Sequence, residues 1–462
     1  MVYMKNVNLI IDENTVYQTF EGFGASGAWW AQEVGGWTHT DEKTGESIRD
    51  EIARLLYSKT DGIGLRTYRY NIGAGSKESG RGEYSMPLRR TESFETGEGV
   101  YDFSRDKNAV YMMRKSAEYG ADEIIMFVNS PIERLTVNNK AHCDKKRLFR
   151  DNLPKKNYRA FAKYCLDVTE HFVKEGLPIK YLSPINEPVW VWTGGQEGCH
   201  YSPRSAGRVL KVFAEEMDKR PALDSVKLSG LENGDVRWFN KSYTRNLFKY
   251  KEVRKRVDSV DIHSYFLNDA LFKGFLKRTE YLKRFKKFMD KKYPFVSIKM
   301  SEWTHMLGGR DKGMNSALVT ARTIYEDISL LNAVSWQHWI AVSEVDYCDG
   351  LIYINLDDKS FEMTKRYYVT GNFSKYIGYN SKRIKAETDD KKLKTLAFKK
   401  DGKTTVVLIN ESADGKIVFF NEAEGKDITL AVTDDENDLK EEKIHCPGKI
   451  ELTPKSVTTI IY

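Results

Sequence analysis

Between Gly22 and Trp339, short apolar, strand-like runs alternate with stretches of helical periodicity, and no other feature constrains the fold as tightly. The strand-like runs are Gly22–Ala25, Gly62–Asn71, Glu123–Ser130, the run ending at Glu187, Val226–Gly230, Val260–Tyr265, Val296–Trp303 and Ala333–Trp339. Helical sequence lies between them at Arg49–Lys59 and near 105–119, 156–175, 203–219, 237–250, Lys273–Lys292 and 315–331. Apolar residues three and four apart mark a helix with one buried face, as at Ile52, Leu55 and Leu56. Eight such units predict an α/β fold, a (β/α)8 TIM barrel whose working face lies at the C-terminal strand ends. After Lys365 the period shortens to β-rich runs split by turns such as Asp401-Gly402 and Asp414-Gly415. These predict an appended C-terminal β-sandwich. Residues 1–18, which alternate at Val7, Leu9 and Ile11 like an edge strand, are expected to join it. The expected domains are 19–365 for the barrel and 1–18 plus 366–462 for the sandwich. Residues 73–100 show no period and read as one long loop.

Composition narrows the class. Hydrophobic residues make up 40% and charged residues 30% of the 462, which fits a folded globular chain. No stretch of about 18 apolar residues predicts a membrane span. The net charge of +7 comes largely from Lys273–Lys292, whose aromatic and Leu residues recur at helical spacing. That segment reads as a solvated helix face rather than a nucleic-acid patch. Cys143, Cys165, Cys199, Cys348 and Cys446 show no disulfide or metal spacing and suit a reducing compartment. Met1–Ile11 has no apolar signal region. The expectation is a cytoplasmic protein, or a secreted one whose signal lies outside this sequence. Oligomeric state is not legible.

Polar and aromatic residues gather at the C-terminal ends of the strand-like runs: Arg69, Asn129, Glu187, Tyr265 and Glu302, with Trp336 near the end of the eighth. Two carboxylates on two strand ends are the minimum equipment for cleaving a glycosidic bond. Glu187 beside Asn186 suits an acid/base, and Glu302 between Ser301 and Trp303 suits a nucleophile. Tyr265 and Arg69 are placed to bond the nucleophile, Asn186 to bind a sugar 2-hydroxyl, and Trp336 to floor a sugar ring. Trp29, Trp190 and Trp192 offer further sugar faces. His263 alone reads as a core histidine, yet its position puts it among the substrate-binding candidates. Each glutamate by itself also reads as a solvated loop residue. No His/Asp/Glu set has metal-ligand spacing in the sequence.

Together these segments resemble glycoside hydrolase family 30, over nearly the whole chain. Phe20–Trp29 is similar to the family's opening strand, Leu182–Pro188 to its acid/base motif and Ser301-Glu302-Trp303 to its nucleophile motif. Tyr367–Ile377 resembles the segment leading into the sandwich, and Ser456–Thr459 its last strand. The resemblance implies a retaining hydrolase of β-linked carbohydrate that forms a glycosyl-enzyme intermediate and uses no cofactor. Gly195–Tyr201, with Trp190 and Trp192 upstream, resembles the branch acting on β-1,6-galactan; Glu197 within it reads as an ordering group of its loop. Activity on β-1,6-glucan, xylan, β-xylosides or β-fucosides stays open, as does a non-catalytic carbohydrate-binding role. The family carries a Trp after its third strand where this chain has Arg134. Arg134 is expected either to admit an acidic sugar or to pair with a nearby acid.

Overall fold

The structure is a computed structural model that describes residues 4–42, 44–237, 239–265 and 276–462. The eight expected strands are present: β1 (Gly22–Ser26), β2 (Thr67–Asn71), β3 (Glu123–Phe127), β4 (Ile179–Ser183), β5 (Lys227–Leu228), β6 (Ser259–His263), β7 (Ser297–Trp303) and β8 (Ser335–Ser343). Helices α1 (Ile48–Tyr57), α2 (Lys107–Tyr119), α3 (Tyr158–Lys174), α4 (Pro203–Met217), α5 (Asn240–Leu247), α6 (Arg278–Lys292) and α7 (Met314–Leu330) lie between them. The lysine-rich helix therefore starts at Arg278; residues 273–275 of that expectation lie outside the described residues. Among the described residues no helix is long and apolar enough to cross a membrane. All five cysteines are buried free thiols.

The chain forms two compact units. One comprises Ala25–Arg54 and Thr67–Trp303. Within it β2, β3, β4 and β5 run parallel in that order, and β6 and β7 form a second parallel pair. The bridges Asn186↔Glu232 and Asn233↔Ile262 continue the ladder from β4 past β5 to β6. Every residue of β2, β3 and β6 is buried, as strands covered on both faces must be. The helices supply that cover. In α3, Phe161, Cys165, Val168 and Phe172 recur at helical spacing and are all buried. Burying each large apolar side chain contributes about 1.5–3 kcal/mol. The stretch 73–100 is not one loop. It carries a short helix (Ser76–Ser79), a 3-10 turn (Pro87–Arg89) and a small antiparallel hairpin (Glu95–Gly97 with Val100–Tyr101). Elements this short show no sequence period, so none was legible.

The other unit comprises Met1–Gly24, Leu55–Arg66 and Thr304–Tyr462. It contains one nine-stranded sheet, in the order Lys440–His445, Asp427–Thr433, Ser456–Ile461, Lys403–Asn410, Leu393–Lys400, Ser381–Thr388, Lys5–Phe20, Lys416–Phe419, Lys449–Leu452. The sheet curls around a core that includes Val7, Leu9, Val406, Leu408, Val418 and Ile460. The N-terminal strand is interior, not an edge. Its first residues pair in parallel with Lys416–Phe419, and its later residues pair antiparallel with Ser381–Thr388. A register shift between Asp12 and Val16 breaks the regular alternation that the sequence suggested. Lys440–His445 gives no strand signal in the sequence, because it is almost wholly exposed and carries no apolar alternation.

Candidate active site

The two glutamates singled out in the sequence meet in the first unit. Glu302 lies in β7, and Glu187 follows β4 on a left-handed backbone, φ 45°. That conformation is costly for a residue with a Cβ, and such strain persists only where the surroundings fix it. Here the Glu187 amide donates to Glu232 O (2.6 Å), and its carbonyl accepts from Trp190 N (3.2 Å) and Trp192 Nε1 (3.0 Å). Glycine at 234 leaves room for the side chain: a Cβ there would lie 2.2 Å from Trp190 Nε1 and 2.8 Å from Glu187 Oε1.

His263, at the end of β6, joins the carboxylates. Its Nδ1 donates to Glu187 Oε1 at 2.8 Å and lies 3.4 Å from Glu302 Oε1. Its Nε2 contacts Glu232 Oε2 at 3.1 Å. Arg69, in β2, donates Nη1 to Glu302 Oε2 at 2.8 Å and Nη2 to Glu232. Tyr265 OH donates to Glu302 Oε1 at 2.9 Å. All these groups are buried. Burial alone would strip the charge from His263, but Glu302, Glu187 and Glu232 outweigh it and raise its pKa to about 10. Burial raises Glu302 above the usual carboxylate range, against the opposing pull of His263 and Arg69. Burial also works to raise Glu232, yet Arg69 and His263 prevail and hold it below the usual range. Burial, then the Glu302 charge, pushes Tyr265 up, so it acts as a neutral donor.

Glu232 was not singled out in the sequence. Its signal was present: it follows β5 as Glu187 follows β4. The hydrogen-bonded part of β5 is only two residues, and the polar pair Glu232-Asn233 stands four residues beyond it.

The other candidates divide. Asn186 is buried and donates Nδ2 to Asn129 Oδ1 at 3.1 Å, so the Asn129 side chain orients it. Trp192 is half-buried, its ring packed on Gly198. Trp29 is buried, sits at φ 68°, and has the Arg89 guanidinium 4.6 Å over its ring. Glu197 is apart from the catalytic candidates. It accepts from Ser76 Oγ (2.6 Å) and Thr91 Oγ1 (2.8 Å), tying its loop to the 73–100 stretch, and burial raises its pKa to about 7. Arg134 does not present a free cation: its Nε and Nη2 each bond Glu95 at 2.7 Å. Trp336 is not a sugar floor. The strand β8 runs on to Ser343, so Trp336 is its second residue and not near its end; the ring is fully buried, with Nε1 donating to Asp327 at 3.0 Å. Trp339, on the opposite face of the same strand, is 8% exposed.

No metal spacing was legible in the sequence, but folding brings ligand atoms of Glu187, His263 and Glu302 within 4.8 Å of one another. Charge in this trio is already matched by the Arg69 guanidinium and a protonated His263. The donor set fits protons and ion pairs better than a divalent cation.

Buried carboxylates, paired cations and strained backbone gathered at strand ends mark a candidate functional site. The model of O-glycosyl hydrolase family 30 matches residues 6–249 and 292–353. An endo-β-1,6-galactanase of Hypocrea rufa is 25% identical over 406 residues, which are 80% of this chain and 75% of that protein. A conserved exported protein from Bacteroides fragilis shares the fold with a TM-score of 0.86 at 23% identity, covering 98% of this chain and 100% of that one. The catalytic domain of xylanase C from Talaromyces cellulolyticus gives 0.73 at 16% identity, covering 98% and 99%. The chain is a glycoside hydrolase acting on carbohydrate and belongs to O-glycosyl hydrolase family 30.

Proposed function

We propose that the protein is a retaining β-glycosidase in which Glu302 is the nucleophile and Glu187 the acid/base. The observation that carries this reading is the approach of the two carboxylates, one oxygen of each lying within 4.8 Å of the other and both facing Nδ1 of His263, which supports the shorter of the two known separations. Retaining enzymes hold the pair about 5–5.5 Å apart, whereas inverting enzymes need about 6.5–9.5 Å to admit a water. In the first step a Glu302 oxygen attacks the anomeric carbon. The bond to the leaving oxygen breaks, and Glu187 gives that oxygen its proton. In the second step Glu187 takes a proton from water, which attacks the same carbon and frees Glu302. The Arg69 and Tyr265 donors hold Glu302 in line and stabilise its charge. His263 engages Oε1 of Glu187, which leaves Oε2 to carry the acid proton. Asn186 is read as the partner of the sugar 2-hydroxyl, its side chain oriented by Asn129.

The eight strands are read as a closed (β/α)8 barrel, 19–365, with a β-sandwich of 1–18 plus 366–462. The alternation of strand and helix and the fold of the solved relatives support this. The proposed substrate is β-1,6-galactan, supported by the named activity of the Hypocrea rufa relative and by the Trp190–Tyr201 loop beside Glu187. The test is a panel of β-1,6-galacto-, β-1,6-gluco- and β-1,4-xylo-oligosaccharides with a Glu302→Gln control. Cleavage of the galacto series alone, with retained anomeric configuration and loss in the control, is expected. Cleavage of another series removes the substrate reading, and an inverted product removes the mechanism.

A further inference from the structure

Two exposed phenylalanines stand in the connections that follow β3 and β5, and both hold a conformation that costs free energy. Phe149 is 72% and Phe239 65% exposed. Their backbones are left-handed, φ 57° and 58°. Among the exposed large hydrophobic side chains of the described residues, only these two combine exposure with left-handed backbone. Phe149 occupies the third position of a type II turn. Leu148 has φ −52° and ψ 140°, and Arg150 N donates to Arg147 O at 3.2 Å. That position favours glycine. Phe239 caps the start of α5, a place that Ser, Thr, Asn or Asp fill best. Backbone strain of this kind clusters at active sites and ligand clamps, where an outside contact offsets it.

Their placement says what. Phe149 lies in the connection after β3 and Phe239 in that after β5, and these strands flank β4, which leads to Glu187. The Phe149 ring stands edge-on to His200, 6.1 Å between centroids, and His200 Nδ1 donates to the carbonyl of Trp190. Trp190 in turn borders Glu187 across Gly234. The acid must touch the leaving oxygen, so the sugars beyond the cleaved bond emerge on the Glu187 side. We propose that Phe149 and Phe239 are stacking platforms for sugar units of the leaving chain. The enzyme is then endo-acting, binding a β-linked polysaccharide through at least two units past the bond it cleaves. This inference rests on the two-glutamate reading.

The test compares Phe149→Ala, Phe239→Ala and Phe149→Gly on two substrates: polymeric β-1,6-galactan and an aryl β-galactoside, whose leaving group carries no sugar. Each variant is expected to lower kcat/KM on the polymer about tenfold, the loss of one aromatic contact face, and to leave the aryl substrate within about twofold. Phe149→Gly relieves the turn, so its Tm should hold or rise while polymer activity falls; this separates binding from folding. Equal effects on both substrates, or none, overturn the inference. If the wild type cleaves β-1,6-glucan or β-1,4-xylan instead, the substrate reading fails, and the same ratio is taken with that polymer and its aryl glycoside. If it cleaves none, the catalytic reading fails. Retardation of the Glu302→Gln protein in gels containing each polymer then decides: adding Phe149→Ala should weaken it about tenfold, and unchanged or absent retardation overturns the platform.

Discussion

Replacing Glu232 with Gln tests the charge balance of the site. The change removes one of the three carboxylates that hold His263 protonated to a pKa of about 10, and keeps the side-chain shape. Two unit charges about 4 Å apart in a partly screened site interact by about 4 kcal/mol, equal to about 3 pH units. The Gln carbonyl still accepts a hydrogen bond, so the His263 pKa is expected to fall by a smaller amount, about 1–2 units. The folded pKa of His263 lies above its ordinary 6.5. Its contribution to stability is therefore fully present below pH 6.5 and is lost as pH rises through about 10. For the wild type that contribution is on the order of 5 kcal/mol, and the variant forfeits about 1–3 kcal/mol of it. Glu232→Gln should thus be less stable than wild type at pH 6.5, and the part of the gap due to His263 should close above pH 10. Urea unfolding of both proteins across this range measures the gap, and NMR titration of the His263 ring measures the cause. A gap that does not change with pH, or an unmoved His263 midpoint, would refute the reasoning.

Three further outcomes are expected. Gly234→Ala drives a methyl into Trp190 and Glu187, so kcat should fall at least about tenfold while the unfolding free energy drops by about 1–3 kcal/mol, as overpacking costs; unaltered turnover would contradict the packing described. Glu197, with a folded pKa of about 7 against 4.5, contributes stability present below pH 4.5 and lost as pH rises through 7. Glu197→Gln keeps an acceptor for Ser76 and Thr91, so this pH dependence should disappear, read as a flatter stability curve between pH 4 and about 8. Because Glu95 occupies Arg134, Arg134→Trp should cost no more than about 1 kcal/mol and leave the preference between neutral and uronate-bearing oligosaccharides unchanged.

Glu187 and Glu302 were legible because each ends an apolar run with clear punctuation, and a strand-end carboxylate is a chemical statement on its own. Arg69 and Tyr265 were legible for the same reason, and their bonds to Glu302 are short and direct. Glu232 escaped because the hydrogen-bonded strand before it is two residues long. Trp336 was misplaced because strand length decides which residue reaches the working end, and pairing partners, not local pattern, set that length. The N-terminal strand reads as an edge in the sequence because alternation shows which face is buried, not how many neighbours bond its backbone.

The sequence by itself determined the order of strands and helices, since periodicity is local and each period buries one face. It also determined which residue types stand at the strand ends, and so the class of chemistry. Tertiary structure alone decided how charge is shared: that His263 lies between three carboxylates, that Arg69 spans Glu302 and Glu232, and that Arg134 is spent on Glu95. These pairs are separated by tens to hundreds of residues, and electrostatic interaction depends on distance in space and on burial, neither of which a linear pattern encodes.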